Sequence, residues 1–400
     1  MEDSLKGKKI IVGITGCIAA YKACWLIREL IKRKATVKIV TTPSALNFVT
    51  PLTLSTLSKN KIISDIFLDS RNSDTPIWHV DYSRWADLTI IAPATINTVA
   101  KIAYGFADNA LTTLVPALKC PVIIAPAADV DMYENSITQE NLRKLSDLSY
   151  FIVDAEIGEL ASGLHGKGRL ADIHKIIDGA ELILSGYKKD LQNKKILVTA
   201  GPTFEDIDPV RFIGNRSSGK MGFELAKAAF LRGAEVTLIS GPTAERAYEE
   251  INLVEIRNAS EMKRTVDAEL KKNDILIMAA AVADFKPKTP SKSKIKKEQK
   301  ISGIQITNTD DILGNANKNG KTIVGFALET DKEIQNATKK LKEKNLDLIV
   351  LNSLKDKKSG FEYNTNKITI LTKDRRKKEF PLQTKFQAAN KILSEILKIS

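Results

Sequence analysis

The sequence predicts two tandem doubly wound α/β domains, each built on a mainly parallel sheet. Three observations carry that prediction. Apolar runs of strand length alternate with amphipathic stretches of helical period, as at Ile10–Ile14, Thr36–Val40 and Pro121–Pro126. The alternation then restarts half-way along the chain. Lys8-Lys-Ile-Ile-Val12 is echoed by Lys194-Lys-Ile-Leu-Val198, and Ala35–Val40 by Ala234–Ile239. Third, the stretch Lys195–Gly222, KILVTAGPTFEDIDPVRFIGNRSSGKMG, runs from a buried strand through a long polar loop into a helix. Such a loop is where these folds bind anions, because free backbone N–H groups and the helix dipole point there.

Composition bounds the class. Four hundred residues suit two or three domains, each able to bury its own core. Apolar residues make up 43%, which is ordinary for a globular protein. No apolar run approaches the roughly 20 residues of a membrane span, and MEDSLKGKK carries acids without an apolar signal core. Cys17, Cys24 and Cys120 have no metal-ligand spacing. The expectation is a reduced, cytoplasmic protein with no membrane partner. The net charge is +13, but its lysines are spread over helices without an aromatic–basic motif. Solvated faces and small anionic substrates therefore rank ahead of nucleic acid.

In the first half, Ile10–Ile14 reads as a buried strand, followed by small residues at Thr15–Ala20 and a helix to about Lys34. Thr36–Val40 is the second strand, and Thr42 caps a helix that Pro43 opens. Trp85–Pro93 runs into a third strand, Ala94–Asn97 starts a helix, and Pro121–Pro126 is a further strand. Ligands bind outside the carboxyl ends of such strands. The loops there hold Gly16, Cys17, Ile18, Thr42, Ser44, Ala94, Thr95 and Asn97, then Ala127–Tyr133. Neither G-x-G-x-x-G nor an acidic end to the second strand occurs, which disfavours a dinucleotide. Hydroxyls and N–H groups at Gly16, Thr42 and Ser44 suit a single phosphate, as on flavin mononucleotide (FMN); ordinary turn and cap residues are the competing reading. Asp154–Asp172, rich in glycine, reads as a polar loop able to close over a site. Residues 1–189 form the first domain, and Asp190–Lys194 reads as a linker into the second, 190–400.

The second half repeats the style. Gly214–Lys220 matches G-x-x-x-x-G-K, but Met221 stands where a P-loop needs a hydroxyl for magnesium. A different phosphate or nucleotide loop is the better reading. The strand ending at Met278 leads into Ala279–Pro287, where small residues let a ligand approach the backbone and Asp284 offers a carboxylate. The lysine-rich Lys286–Lys300 reads as a solvated charge run by itself, and as a flap closing on phosphates beside a nucleotide site. Ile323–Ala327 is another strand, followed by a helix with Lys340 and Lys344 on one face. Lys367–Leu371 is a late strand and Thr384–Ile399 a closing helix.

Two sets of motifs carry a resemblance that spans almost the whole chain. DPVRFIGNRSSGKMG, AAAVADF, KIKK, VGFALET and KNLDLI occupy the second half; GITGCIAAYK, IWHVDYSRWADL, APATINT and PAADVDMYENSITQENL occupy the first. Together they resemble the bifunctional coenzyme A biosynthesis family, a phosphopantothenoylcysteine decarboxylase fused to a phosphopantothenate–cysteine ligase. The fold implied is a Rossmann-like flavoprotein decarboxylase domain followed by a ligase domain. For the ligase, the resemblance implies attack of the 4′-phosphopantothenate carboxylate on the α-phosphate of CTP. L-cysteine then displaces CMP from the acyl-cytidylate. It implies Asn215 at the acyl intermediate, with Arg211 also binding substrate, and Lys294 at the charged transition state. CTP would be held by Gly201, Ser217, Ser218, Gly219, Ala280, Ala281, Asp284, Lys294, Thr309, Asp310, Asp311, Ile312, Phe326, Lys340 and Lys344, with Asp284 on Mg2+. Thr309-Asp-Asp-Ile312 replaces the more usual Asn-Pro-Asp-Ile. For the decarboxylase it implies FMN, with His79 at the active site and Asp129 and Met132 on the substrate. It further implies trimeric flavin domains and dimeric ligase domains, as in a dodecamer.

Two departures fall in the first domain. The family pattern P-A-M-N-x-x-M-Y reads Pro126-Ala-Ala-Asp-Val-Asp-Met-Tyr133, which puts Asp129 where asparagine would bind the substrate carboxylate. An ionised aspartate repels that group unless protonated or paired. Ser162 stands where the lid cysteine would protonate the enethiolate. A hydroxyl is a far weaker acid than a thiol of pKa about 8.5. His165, in the same lid, is the candidate substitute donor. The alternative expectation is an active ligase carried on a degenerate flavin domain that serves as an oligomerisation scaffold.

Overall fold

The computed structural model describes residues 5–67, 77–296, 303–329, 331–353, 360 and 363–400. From Lys297 to 302 the lysine-rich loop lies outside the described residues, as does Thr330. The chain divides into two compact units, Met1–Gly186 and Tyr187–Ser400.

In the first unit six strands pair in parallel in the order β3-β2-β1-β4-β5-β6. They are β1 (Lys9–Ile14), β2 (Thr36–Thr41), β3 (Ile62–Ile63), β4 (Leu88–Ala94), β5 (Val122–Pro126) and β6 (Phe151–Ile152). All seven residues of β4 are buried, as expected for a strand covered on both faces. Side chains alternate between the faces. Ile10, Val12 and Ile14 pack with α1 (Lys22–Lys32), α2 (Pro51–Ser58) and, further along the chain, Ile176 and Ile177. Ile11 and Ile91 face the other way, against α3 (Trp78–Trp85), α4 (Ile96–Ala103) and α5 (Ala110–Leu114). The short α6 (Val130–Glu134) follows β5, then α7 (Ser136–Asp147) and, after β6, α8 (Ile173–Leu184). The strand order reverses between β1 and β4, so a crevice opens at their carboxyl ends.

The glycine-rich 154–172 stretch is not a featureless loop. It folds as an antiparallel hairpin, β7 (Glu156–Glu159) and β8 (His165–Arg169). Glycine is what permits this close packing: a Cβ on Gly166 would meet Val130 at 2.6 Å, and Gly168 has φ +153° with the Ala128 carbonyl oxygen 2.5 Å from its Cβ position. The turn opened by Pro43 is also shorter than expected, a single 3-10 segment, Pro43–Asn47.

The main sheet of the second unit has eight strands in the order β13-β12-β9-β14-β17-β18-β19-β20. In chain order the elements are β9 (Lys195–Ala200), the hairpin β10 (Phe204–Asp206) and β11 (Phe212–Gly214), α9 (Lys220–Leu231), β12 (Glu235–Ser240), β13 (Asn252–Glu255), α10 (Ala259–Glu269) and β14 (Ile275–Met278). Then come β15 (Phe285–Pro287), β16 (Ile306–Asn308), α11 (Ile312–Asn315), β17 (Thr322–Glu329), α12 (Glu333–Glu343), β18 (Leu348–Ser353), β19 (Thr365–Thr372), β20 (Lys377–Thr384) and α13 (Lys385–Ile396). Pairing is parallel up to β18, after which β19 and β20 return antiparallel. The order reverses between β9 and β14. A linker was expected at 190–194, but these residues pack into the second unit. Leu191 is buried, and Asp190 receives two bonds from the Arg232 guanidinium at 2.9 and 2.8 Å.

Candidate active sites

In the first unit the predicted phosphate-binding loops converge at the β1–β4 reversal. The buried Thr15 hydroxyl donates to the Pro93 carbonyl at 2.8 Å and accepts from the Thr95 amide at 2.8 Å, stitching the two strand ends together. Gly16 passes so close to Ser44 that a Cβ would lie 2.4 Å from its hydroxyl oxygen. Thr42 and Ser44 hydroxyls are 3.1 Å apart. Thr95 caps α4 through the Thr98 amide, while Asn97 is exposed in its first turn. Cys17 and Ile18 complete the loop. Burial pushes the Cys17 thiol up, and Ile18 is exposed. Ala94 is buried at the end of β4.

His79 sits half-buried in the first turn of α3, edge-on to Trp78 with ring centroids 5.7 Å apart. Asp129 caps α6, its carboxylate accepting from the Val130 amide at 2.7 Å, and Met132 is exposed on that helix. Ser162 and His165 lie exposed at the tip of the β7–β8 hairpin. The hairpin is tied to the Asp129 segment at its base, where the Ala128 amide donates to Gly168. Asp154 is shared between the buried Tyr133 hydroxyl and Lys167. Burial pushes Asp154 up, but those two partners outweigh it and hold the carboxyl below its usual range. Burial and the same Asp154 contact push the Tyr133 phenol above its own.

In the second unit a cleft of about 730 Å³ opens at the carboxyl ends of β9 and β14. Asn215, Ser217, Ser218 and Gly219 enter it from the loop before α9, and Ala280, Ala281 and Asp284 from the segment after β14. Thr309, Asp310, Asp311 and Ile312 form another wall, with Phe326 from β17 and Lys340 and Lys344 from the end of α12. The small-residue segment is fixed through its backbone. Ala281 N–H donates to Gly201 at 2.9 Å, Ala283 N–H to the Thr203 hydroxyl at 2.9 Å, and the Asn215 amide group to the Ala281 and Val282 carbonyls at 3.0 and 3.1 Å.

Three predicted residues stand outside those walls. Gly201 makes the turn after β9 with φ +76°, and a Cβ there would meet the Gly241 carbonyl at 2.9 Å. Arg211 is engaged by the carboxylate of Asp208 and the Ile295 carbonyl, and Lys294 is exposed on the adjoining loop. Side chains that the sequence reading did not assign to the site also line the cleft. Lys220 follows Gly219, and Lys385 is 4% exposed at the start of α13. Asn352 has a buried Oδ1 without a hydrogen-bond partner among the described residues.

Four lysines (Lys220, Lys340, Lys344 and Lys385) and three aspartates (Asp284, Asp310 and Asp311) line the cleft. Burial pushes the Lys340 ammonium down, although Glu329 and Asp284 oppose that, and its Nζ donates to the Phe326 carbonyl at 2.9 Å. Burial and neighbouring Lys220 bring Lys385 down to about 8. Lys344 pairs with Asp311. Burial raises the Asp311 carboxyl, and the Lys344 bond more than reverses this. Among the described residues no group of three or more histidines, cysteines or acids is arranged to hold a metal ion.

A family model described as Flavoprotein matches residues 1–183, and one described as DNA/pantothenate metabolism flavoprotein C-terminal domain matches 191–399. The coenzyme A biosynthesis bifunctional protein CoaBC of Bacillus subtilis (strain 168) is 41% identical over 400 residues, 99% of this chain and 98% of that one. The chain belongs to this family. It is a bifunctional enzyme of coenzyme A biosynthesis with a flavoprotein half and a pantothenate-metabolism half. A cysteine/cysteine sulfinic acid decarboxylase from an unknown prokaryotic organism is 48% identical over 358 residues, 87% of this chain and 99% of that protein. A crystal structure of the C-terminal domain of a CoaBC covers 53% of this chain and 98% of its own, with 40% identity and a TM-score of 0.46. Membership of the bifunctional family matches the expectation from the motifs, and FMN matches the flavoprotein half. Among the described residues no helix is long and apolar enough to cross a membrane.

Proposed function

We propose that the second unit joins 4′-phosphopantothenate to L-cysteine at the expense of CTP, and that the first decarboxylates the product to 4′-phosphopantetheine with FMN. The observation that carries the ligase reading is the cleft at the β9–β14 reversal, lined by four lysines and by Asp284. Its size suits a nucleotide, and its lysines offset the charge that both half-reactions concentrate. Ser217, Ser218 and Gly219 present their loop and the α9 N-terminus to phosphate. Lys340 and Lys344 flank the other side, and Asn215 holds the Ala281–Val282 wall against which the acyl group is oriented. Mg2+ would find one protein carboxylate, Asp284, and take its remaining ligands from phosphate oxygens and water.

The first unit fits FMN. The close Gly16–Ser44 approach leaves backbone N–H groups and the Thr42 and Ser44 hydroxyls available to a phosphate, and Thr95 and Asn97 stand at the N-terminus of α4. When bound, the flavin supplies reversible two-electron oxidation of the substrate's thiol-bearing carbon. His79 lies on the adjoining helix to orient the substrate, and the hairpin brings Ser162 and His165 as candidate proton donors. Exposed Ile18, Tyr21, Trp25, Phe48 and Leu52 beside these loops support self-association of this unit. No observation favours a flavin domain kept only as a scaffold. Asp129 does favour a second reading of its substrate. A carboxylate there suits the ammonium of free cysteine, and the 48% identical relative is named for cysteine decarboxylation.

One experiment separates these. The purified protein receives 4′-phosphopantothenate, cysteine, CTP and Mg2+, products are followed by mass, and the flavin spectrum is recorded. The expected product is 4′-phosphopantetheine with CMP and pyrophosphate. Accumulation of 4′-phosphopantothenoylcysteine would overturn the decarboxylase reading, and cysteamine from cysteine alone would establish the second one. An unchanged turnover in His165→Ala would remove His165 as proton donor.

A further inference from the structure

The signature stretch DPVRFIGNRSSGKMG begins with a residue that has no assigned task. Asp208 is 1% exposed, and its carboxylate is a hub. It accepts from the Val210 and Arg211 amides at 2.8 and 2.9 Å, closing its own turn. It also accepts from the Arg211 guanidinium, through Nε at 3.0 Å and through Nη2. Its last bond reaches across to the lysine-rich loop, from the Ile295 amide at 3.2 Å. Arg211 completes the clamp by donating from Nη2 to the Ile295 carbonyl at 2.8 Å. Both backbone groups of Ile295 are therefore held by one ion pair. Four residues earlier, the Ser291 amide donates to the Ile207 carbonyl at 2.9 Å, on the same turn. The segment Lys292-Ser-Lys294 is thus pinned at both ends to residues 207–211, while Lys294 itself is exposed.

We propose that Asp208 is a positioning residue for the ligase reaction: with Arg211 it latches Ile295 and so fixes where Lys294 can reach. This rests on the reading of Lys294 as the group that meets the charged transition state. A long lysine side chain on an untethered loop loses orientation, and misplacement by about 1 Å can cost on the order of 100-fold in rate. The alternative source of these bonds is plain structure, a turn satisfying its own amides. That alternative accounts for the Val210 and Arg211 amides. It does not require the carboxylate to leave its turn for Ile295, nor Arg211 to bind the opposite group of the same residue.

The full-length protein is tested as D208N, K294A and the double variant, with ligase turnover measured at saturating 4′-phosphopantothenate and cysteine. D208N is expected to lower kcat by about 10- to 100-fold while KM for CTP stays within about threefold, since the cleft walls are untouched. In the K294A background D208N should cost less than about twofold more, because the two residues act as one unit. Amide exchange adds a readout that does not depend on activity. The Ile295 amide should exchange at least about tenfold faster in D208N, with β9 and β14 unchanged. If D208N does not fold, Arg211→Lys keeps the charge and removes the fork, and should show the same kcat loss and the same non-additivity in milder form. K294A at the wild-type rate would overturn the reading of Lys294 and the inference with it. An impaired K294A beside a D208N at full rate, or losses that add in the double variant, would overturn the inference alone.

Discussion

A methyl group on Gly16 would lie 2.4 Å from the Ser44 hydroxyl oxygen and 2.8 Å from its carbonyl carbon, so no rotation of Ser44 relieves the contact. Gly16→Ala should therefore push apart the two loops proposed to hold the FMN phosphate. The expected result is purified protein with most of its flavin absorbance lost and its ligase turnover unchanged. Full flavin occupancy would show that the phosphate is held elsewhere. In the sequence Gly16 was legible as a turn residue, but its collision partner was not, because Ser44 lies on a different strand end. Lys385 makes the same point about burial. Its position after the capping Thr384 marks a helix start, and nothing in the local pattern says that the side chain turns inward. Its pKa, brought down to about 8 by burial and Lys220, has a consequence for stability. The cost of burying the charge is fully present below pH 8 and fades as pH rises towards the ordinary lysine value of 10.5. Glu224, Glu245 and Lys220 face the same group, and only Lys385 is changed in the test. Relative to Lys385→Met, the wild-type unfolding temperature should rise across that window; a constant difference would mean that Lys385 is not perturbed.

At the scale of elements, apolar runs announced the parallel strands well, since a strand covered on both faces must be continuously apolar. Ile10–Ile14, Thr36–Val40, Pro121–Pro126 and Ile323–Ala327 all appear where the pattern put them. The small hairpins were not legible. Burial alternates along β7 and β10, but the inward positions hold Glu156, Gly158 and the buried Glu205 while Ile157 faces out, so the apolar period-2 signal is missing, and their glycines and polar residues imitate a loop. What fixes β7–β8 is contact with the segment around Asp129. Gly168→Ala tests it, because a Cβ there has both an unfavourable φ and a carbonyl oxygen at 2.5 Å. The hairpin should detach, lowering decarboxylation by at least about tenfold while ligation continues and 4′-phosphopantothenoylcysteine accumulates. Equal losses in both activities would point to general unfolding instead. The ligase walls were read from motifs more completely than from pattern. Asn215, Asp284, Phe326 and Lys340, named from the resemblance, line the cleft, and Lys220 extends the same motif loop, whereas Asn352 and Lys385 come from segments that only the tertiary structure brings to it.

At the scale of the whole molecule, the restart of the α/β pattern after Lys194 was the plainest feature of the sequence, and the chain does divide into two units. The boundary falls earlier than an isolated linker would put it. Buried Leu191 and the Asp190–Arg232 pair draw residues 187–194 into the second unit, and polar composition gave no warning of those contacts. Each unit has its own core, so calorimetry should resolve two transitions. FMN at about 100 times its dissociation constant should raise only the first, by about 2.7 kcal/mol, and a single shared transition would contradict independent units. Because both units are parts of one polypeptide, a cell cannot make one without the other. Their copy numbers are locked at parity whatever the level of expression. Gene dosage therefore cannot tilt the balance between making the intermediate and consuming it; that balance rests on how well each unit turns over, flavin loading of the first included.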